Sequence, residues 1–162
     1  MKKQLLLFLL LLGSSCVSTE KHDTYTNGKT KIEYYSSDNN NKLNFPFSDA
    51  SIVNNIIYVS GQVGSKPGSR EIVKGGIGTE TTQTLNNINM ILNDLGVSSN
   101  NIFKCLCMLE DINDYAKMNN AYSEFFDDRD NLPSRSTFAG SGLALGAKIE
   151  IDFKLNGNWN IN

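Results

Sequence analysis

Residues 79–109 read TETTQTLNNINMILNDLGVSSNNIFKCLCML. In the first half Leu85, Ile88, Leu92 and Leu95 recur at spacings of three and four, which makes one apolar face of an amphipathic helix about five turns long. Thr79 opens it, Glu80 falls in its first turn, and Gly96 closes it as a C-terminal cap. In the second half Ile102–Leu109 is a nearly continuous apolar run between polar segments, the pattern of a strand covered on both faces and therefore central. A helical period followed at once by a buried strand places the chain in the α/β class.

The flanking sequence extends this pattern. Ser51–Val63, SIVNNIIYVSGQV, is β-rich, with a strand at Ile56–Val59 that halts at Ser60-Gly61 in a bulge or turn, and Pro67-Gly68-Ser69 is a loop. A second helix is predicted over Ile112–Phe126, where Tyr115, Met118, Tyr122 and Phe125 or Phe126 form a stripe read as core. Asp127–Pro133 is a polar loop and Ser134–Phe138 a short strand. From Lys148 to Leu155 the chain alternates strictly, with Ile149, Ile151, Phe153 and Leu155 on one face and Lys148, Glu150, Asp152 and Lys154 on the other. Glu150 thus points away from the core. The order of elements predicts a mixed sheet with both helices packed on one face. The other face mixes apolar side chains with charges, which predicts subunits that meet across it and leave clefts between them.

The N-terminal residues MKKQLLLFLLLLGSSC place two lysines before an apolar run from Leu5 to Leu12 and then small residues, the order of a bacterial secretory signal over residues 1–15. Spanning a bilayer takes ~20 apolar residues, so this run is too short to be a permanent anchor. Cys16, just after Gly-Ser-Ser, resembles the lipidation site of bacterial lipoproteins, with ordinary secretion as the alternative. An exported, periplasmic or outer-surface protein anchored to a membrane through Cys16 is expected. Residues 16–44 are rich in Ser, Thr, Asn, Lys and Asp without a sustained apolar period and read as a flexible polar tether, leaving one domain over 45–155 and a tail over 156–162.

Loss of Lys2 and Lys3 from fifteen basic residues leaves thirteen against seventeen acidic ones, a net charge of −4. With no basic patch in view, nucleic acid is a poor partner. Cys105 and Cys107 stand two apart on one strand face, too far for an unstrained bridge, and read as reduced, buried and structural. The only histidine, His22, lies in the tether, so no metal site is expected.

YVSGQVG at 58–64, the helix from Thr79, the segment from Asp114 to Phe126, PSRS at 133–136 and KIEI at 148–151 follow one another in an order that closely resembles the RidA (YjgF/YER057c/UK114) family. The resemblance implies a chorismate-mutase-like fold, a homotrimer with sites between subunits, and hydrolysis of enamines and imines of the 2-aminoacrylate and 2-iminopropanoate type to 2-keto acids and ammonia, with no cofactor. It implies that Arg135 of the PSRS motif clamps the substrate carboxylate and that Glu150, fifteen residues on, holds and polarises a water. Ser60, Gly61, Asn119, Phe47 and Thr137 match pocket-lining positions. Two of these depart from the family: a tyrosine is usual where Phe47 stands, so a hydroxyl is missing, and a cysteine is frequent where Thr137 stands. The glycine-rich FAGSGLALG at 138–146 departs as well.

The clamp is chemically sound on its own terms, since a planar guanidinium grips a carboxylate through two parallel hydrogen bonds. The competing reading is a non-catalytic, exported small-carboxylate-binding protein that uses the same intersubunit cleft. A third, ribonuclease activity as attached to some family members, has little support from the charge and from a folded part without histidine.

Overall fold

The computed structural model describes residues 23–27, 30–126, 128 and 130–157. The signal segment 1–15 and Cys16 lie outside them, as does most of the tail. In chain order the elements are β1 (Asp23–Asn27), β2 (Thr30–Tyr35), α1 (Asp38–Leu43), β3 (Ala50–Val53), β4 (Ile56–Val63), α2 (Ile77–Asp94), β5 (Ile102–Leu109), α3 (Tyr115–Ser123), β6 (Ser134–Ala139) and β7 (Ile149–Asn156). The strands form one mixed sheet in the order β1-β2-β3-β4-β7-β5-β6. Among the described residues only the β5–β6 pair is parallel.

The α/β class and the two main helices are as the periodicity dictates. Leu85, Ile88, Ile91, Leu92 and Leu95 are buried along α2. They pack with Ile57 and Val59 of β4 and with Ile149, Ile151, Phe153 and Leu155 of β7 in one core cluster. Each such side chain contributes ~1.5–3 kcal/mol by leaving water. The helix ends in a Schellman motif: Val97 N–H donates to the Leu92 carbonyl at 2.9 Å and Gly96 N–H to the Asn93 carbonyl at 3.0 Å, with Gly96 at φ 66°. Polar ties also fix α2 on the sheet. Asn87 Nδ2 donates to the carbonyls of Val63 and Ser65, and buried Glu80 accepts from Lys148 N–H at 2.7 Å through Oε2. The helix begins two residues before Thr79, at Ile77, with Gly76 as its N-cap.

The expected tether is corrected in its second half. Residues 30–43 build β2 and α1, and β2 pairs with β3 from Ile32↔Val53 to Tyr35↔Ala50. Composition hides this strand because Tyr35 is its only fully buried side chain, its hydroxyl donating to Asp94 Oδ2 at 2.7 Å. The rest of its hold on the sheet is backbone pairing, which side-chain patterning does not report. Helix α1 is almost wholly polar. Ser37 caps it, and the Asp49 carboxylate in turn accepts from Ser37 N–H and Oγ–H. The domain therefore begins before residue 45.

The second helix also differs from expectation. A 3-10 turn at Ile112–Asp114 precedes α3, which stops at Ser123, so Phe125 and Phe126 pack from beyond the helix end. Met118 and Tyr122 are buried, whereas Tyr115 is 41 % exposed and is not core.

The face opposite the helices carries Leu106 and Met108 of β5, half-buried, and Phe138 of β6, 49 % exposed. Pairing aligns Glu150, Met108 and Phe138 in one row and Asp152, Leu106 and Ser136 in the next. This is the mixed apolar and charged surface that the alternation of β7 demands.

Candidate active site

Strand register decides which face each side chain takes. Arg135 pairs with Cys105 and Thr137 with Cys107, so both lie in the rows of the two buried cysteines, on the face that carries the helices. There they meet α3, on which Tyr115, Asn119 and Tyr122, at i, i+4 and i+7, make one stripe. Arg135 Nη2 donates to Asn119 Oδ1 at 2.6 Å and to Tyr115 Oη at 3.1 Å. The guanidinium carbon sits 4.5 Å from the centroid of the Tyr122 ring and 5.6 Å from that of Tyr115, so the cation is held over aromatic faces. Leu132, Pro133 and Phe126 complete the wall of a cleft around it.

Thr137 Oγ1 and Tyr122 Oη are buried at the floor of this cleft without an oxygen or nitrogen partner, the cysteine sulfurs lying alongside. Burial pushes the Tyr122 phenol and the Cys105 thiol up. Cys105 and Cys107 are not bridged, their sulfurs 3.6 Å apart. Tyr115, by contrast, is held below the ordinary phenol value by the Asn119 side chain and then by Arg135.

Glu150 is elsewhere. It pairs with Met108 and Val63 and projects from the opposite face of the sheet, half-buried. Between Val59↔Phe153 and Gln62↔Ile151 the register slips, so Ser60 and Gly61 together face Asp152 in a β-bulge. A Cβ added to Gly61 would collide with Glu150 Oε1, so the carboxylate lies in the notch that this glycine leaves. Ser60 is engaged locally, its Oγ donating to the Ser48 carbonyl at 2.7 Å and its N–H to the Asp49 carbonyl at 2.9 Å. Asp152, on the same face as Glu150, keeps Oδ1 buried without a hydrogen bond, with Lys154 Nζ 4.0 Å away. Burial first and the neighbouring Asp152 second raise the proton affinity of Glu150.

The sequence-derived residues thus divide into two groups within one chain. Arg135, Asn119 and Thr137 come together on the helix face, and Ser60 and Gly61 come together with Glu150 at the bulge. Phe47 belongs to neither: it is 50 % exposed and stacks on Phe45 with ring centroids 5.2 Å apart. Sequence reasoning misses Tyr115 and Tyr122 as site residues because they sit in an apolar stripe. Their signal is the hydroxyl each carries, which a tyrosine near a core brings to a polar partner. Among the described residues no cluster of metal-ligating side chains occurs.

This geometry has known relatives. A family model described as Endoribonuclease L-PSP matches residues 39–154. The human 2-iminobutanoate/2-iminopropanoate deaminase is 37% identical over 107 residues, covering 66% of this chain and 77% of that protein. A RutC family protein of Pyrococcus abyssi is 40% identical over 107 residues, covering 66% and 83%. The crystal structure of E. coli TdcF with bound serine superposes with a TM-score of 0.64 at 26% identity, covering 69% of this chain and 88% of that one. A family match over residues 39–154, with relatives 37–40% identical over about two thirds of the chain, means that the chain belongs to the RidA/YjgF/L-PSP family.

Proposed function

We propose that this protein hydrolyses small 2-imino acids, and the enamines that tautomerise to them, to 2-keto acids and ammonia, in clefts between the subunits of a homotrimer. The observation that carries this reading is the Arg135 guanidinium, fixed by Asn119 and laid over Tyr122 at the floor of an open cleft. A cation so placed suits a ligand with a carboxylate. The curated relatives named for imine deamination supply the reaction.

Water adds to the carbon of the C=N bond and gives a carbinolamine. The C–N bond then breaks, ammonia departs with the electron pair, and the C=O bond forms. Glu150 takes a proton from the attacking water and passes it to the imine nitrogen, then takes the carbinolamine hydroxyl proton and passes it to the departing nitrogen. Arg135 and Glu150 project from opposite faces of one sheet, so a site that uses both is completed by a neighbouring subunit. The apolar patch of Leu106, Met108 and Phe138 is the surface on which that neighbour would seat.

The test is the rate of pyruvate formation from 2-aminoacrylate generated in situ. Wild type is expected to accelerate it, and Arg135→Ala to lose at least a hundredfold of that acceleration, the scale seen when one preorganised charge-stabilising donor is removed. Equal rates for the two proteins would overturn the assignment.

The non-catalytic carboxylate binder stays in contention for one reason: the TdcF structure holds serine, an intact amino acid. Saturable binding of 2-keto acids without turnover of any imine would favour it. We also propose export and acylation at Cys16, on the order of residues 1–16. Cys16→Ala should move the protein from the membrane fraction to the soluble one, and unchanged retention would exclude the anchor.

A further inference from the structure

If Arg135 binds a carboxylate, as the proposed function requires, its own hydrogen bonds restrict how it can do so. A guanidinium offers a carboxylate two forks, Nε–H with one Nη2–H, and Nη1–H with the other Nη2–H. Both forks use Nη2. In this structure Nη2 is the nitrogen that is already engaged twice, by Asn119 Oδ1 at 2.6 Å and by Tyr115 Oη at 3.1 Å. Among the described residues Nε and Nη1 donate no hydrogen bond that would compete. The two-pronged grip therefore opens only when one of the two acceptors withdraws.

The two acceptors are unequal. Asn119 lies within α3, its bond to Nη2 is the shorter, and that bond is partly buried. Tyr115 is the first residue of α3, just after a 3-10 turn, its bond is longer and exposed, and its side chain is 41 % exposed. A neutral phenol oxygen is also a weaker acceptor for a guanidinium than a carboxylate, whose full negative charge adds a coulombic attraction to two parallel hydrogen bonds.

We infer that Tyr115 is a positioning residue that occupies one fork of Arg135 in the empty site and is displaced by the substrate carboxylate, so that its hydroxyl sets the affinity threshold for ligands entering the cleft. Asn119 then remains as the fixed tether of the guanidinium. A ligand without a full negative charge gains too little to dislodge the phenol.

The titratable groups around this contact are Tyr115 and Tyr122 from α3 and Cys105 and Cys107 from β5, facing Arg135 of β6. Burial keeps Tyr122 and Cys105 high, whereas Asn119 and Arg135 hold Tyr115 low. Displacement from Arg135 should return the Tyr115 phenol toward its ordinary value. An ultraviolet titration of the full chain reads this as one tyrosine, absent in Tyr115→Phe, whose ionisation moves to higher pH when 2-oxobutanoate is added.

Binding of 2-oxobutanoate to the full-length wild type, Arg135→Ala and Tyr115→Phe gives the decision. The expected result is loss of binding in Arg135→Ala and about fivefold tighter binding in Tyr115→Phe, seen in turnover as a lower KM with kcat unchanged. Binding that is lost in Arg135→Ala but unchanged or weaker in Tyr115→Phe, or a tyrosine ionisation that ligand does not move, overturns the displaced-phenol inference and leaves the carboxylate reading standing. No saturable binding by wild type, or binding that survives Arg135→Ala, overturns the carboxylate reading itself and the inference with it.

Discussion

Glu150 shows how one side chain can set activity and stability in opposite directions. Its proton affinity is raised by burial and then by Asp152, two residues along the same face of β7. In the proposed reaction the ionised carboxylate is the form that holds and deprotonates water, so turnover should fall as pH drops through this raised value, at a higher pH than for an exposed glutamate. Asp152→Asn removes one of the two causes and should move the acid limb of the kcat/KM profile to lower pH; an unmoved limb would separate Glu150 from the reaction. For stability the sign reverses. A carboxyl whose value is raised on folding contributes stability that is present at low pH and lost as pH rises through the folded value, so denaturant midpoints near neutrality should rise in Asp152→Asn. At this scale the strict alternation of β7 is informative about the face of Glu150, whereas Arg135 and Asn119 are reached through the family resemblance rather than through spacing. The sequence is uninformative about Tyr115. A stripe at helical spacing does not say which of its members lies past the edge of the sheet, and only the contact of its hydroxyl with Arg135 separates Tyr115 from the core.

Among the elements, those with a long and clean period are legible: α2 from four residues on one face, β7 from strict alternation, and β5 from its continuous run. Illegible are the elements held by few buried side chains. Strand β2 has one, Tyr35, 1 % exposed beneath α2, its hydroxyl bonded to Asp94 near the C-terminal end of that helix. That single anchor joins the N-terminal segment to the core. Tyr35→Ala should therefore destabilise by about 3–5 kcal/mol, the range for removing a large aromatic from a packed interior. A loss below about 1 kcal/mol in denaturant unfolding would show that β2 is held by backbone pairing alone. The polar helix α1 hangs on the same segment, with Asn40 Nδ2 donating to the Phe47 carbonyl at 2.9 Å. The anchor thus also bears on where the aromatic pair Phe45 and Phe47 is presented.

For the molecule as a whole, the decisive fact is that one sheet separates the two residues on which the proposed chemistry turns. Arg135 stands in a row with Cys105 on the helix face and Glu150 in a row with Met108 on the other. No rotamer change carries a side chain through a packed sheet, so either the site is shared between subunits or one of the two residues is a bystander. The same face that bears Glu150 bears Leu106, Met108 and Phe138, which a lone subunit would leave in contact with water. Mixing separates the alternatives. Arg135→Ala and Glu150→Gln subunits are each expected to be inactive as pure assemblies. Unfolded and refolded together in equal amounts, they pair at random around a cyclic trimer, and about one interface in four then unites an intact Arg135 with the neighbour's intact Glu150. Recovery of about a quarter of wild-type activity is the expected result. A mixture as inactive as its parents, with assembly verified by sedimentation, would mean that the two residues do not complete one another across an interface, and the catalytic part of Glu150 would have to be reassigned to a group on the helix face.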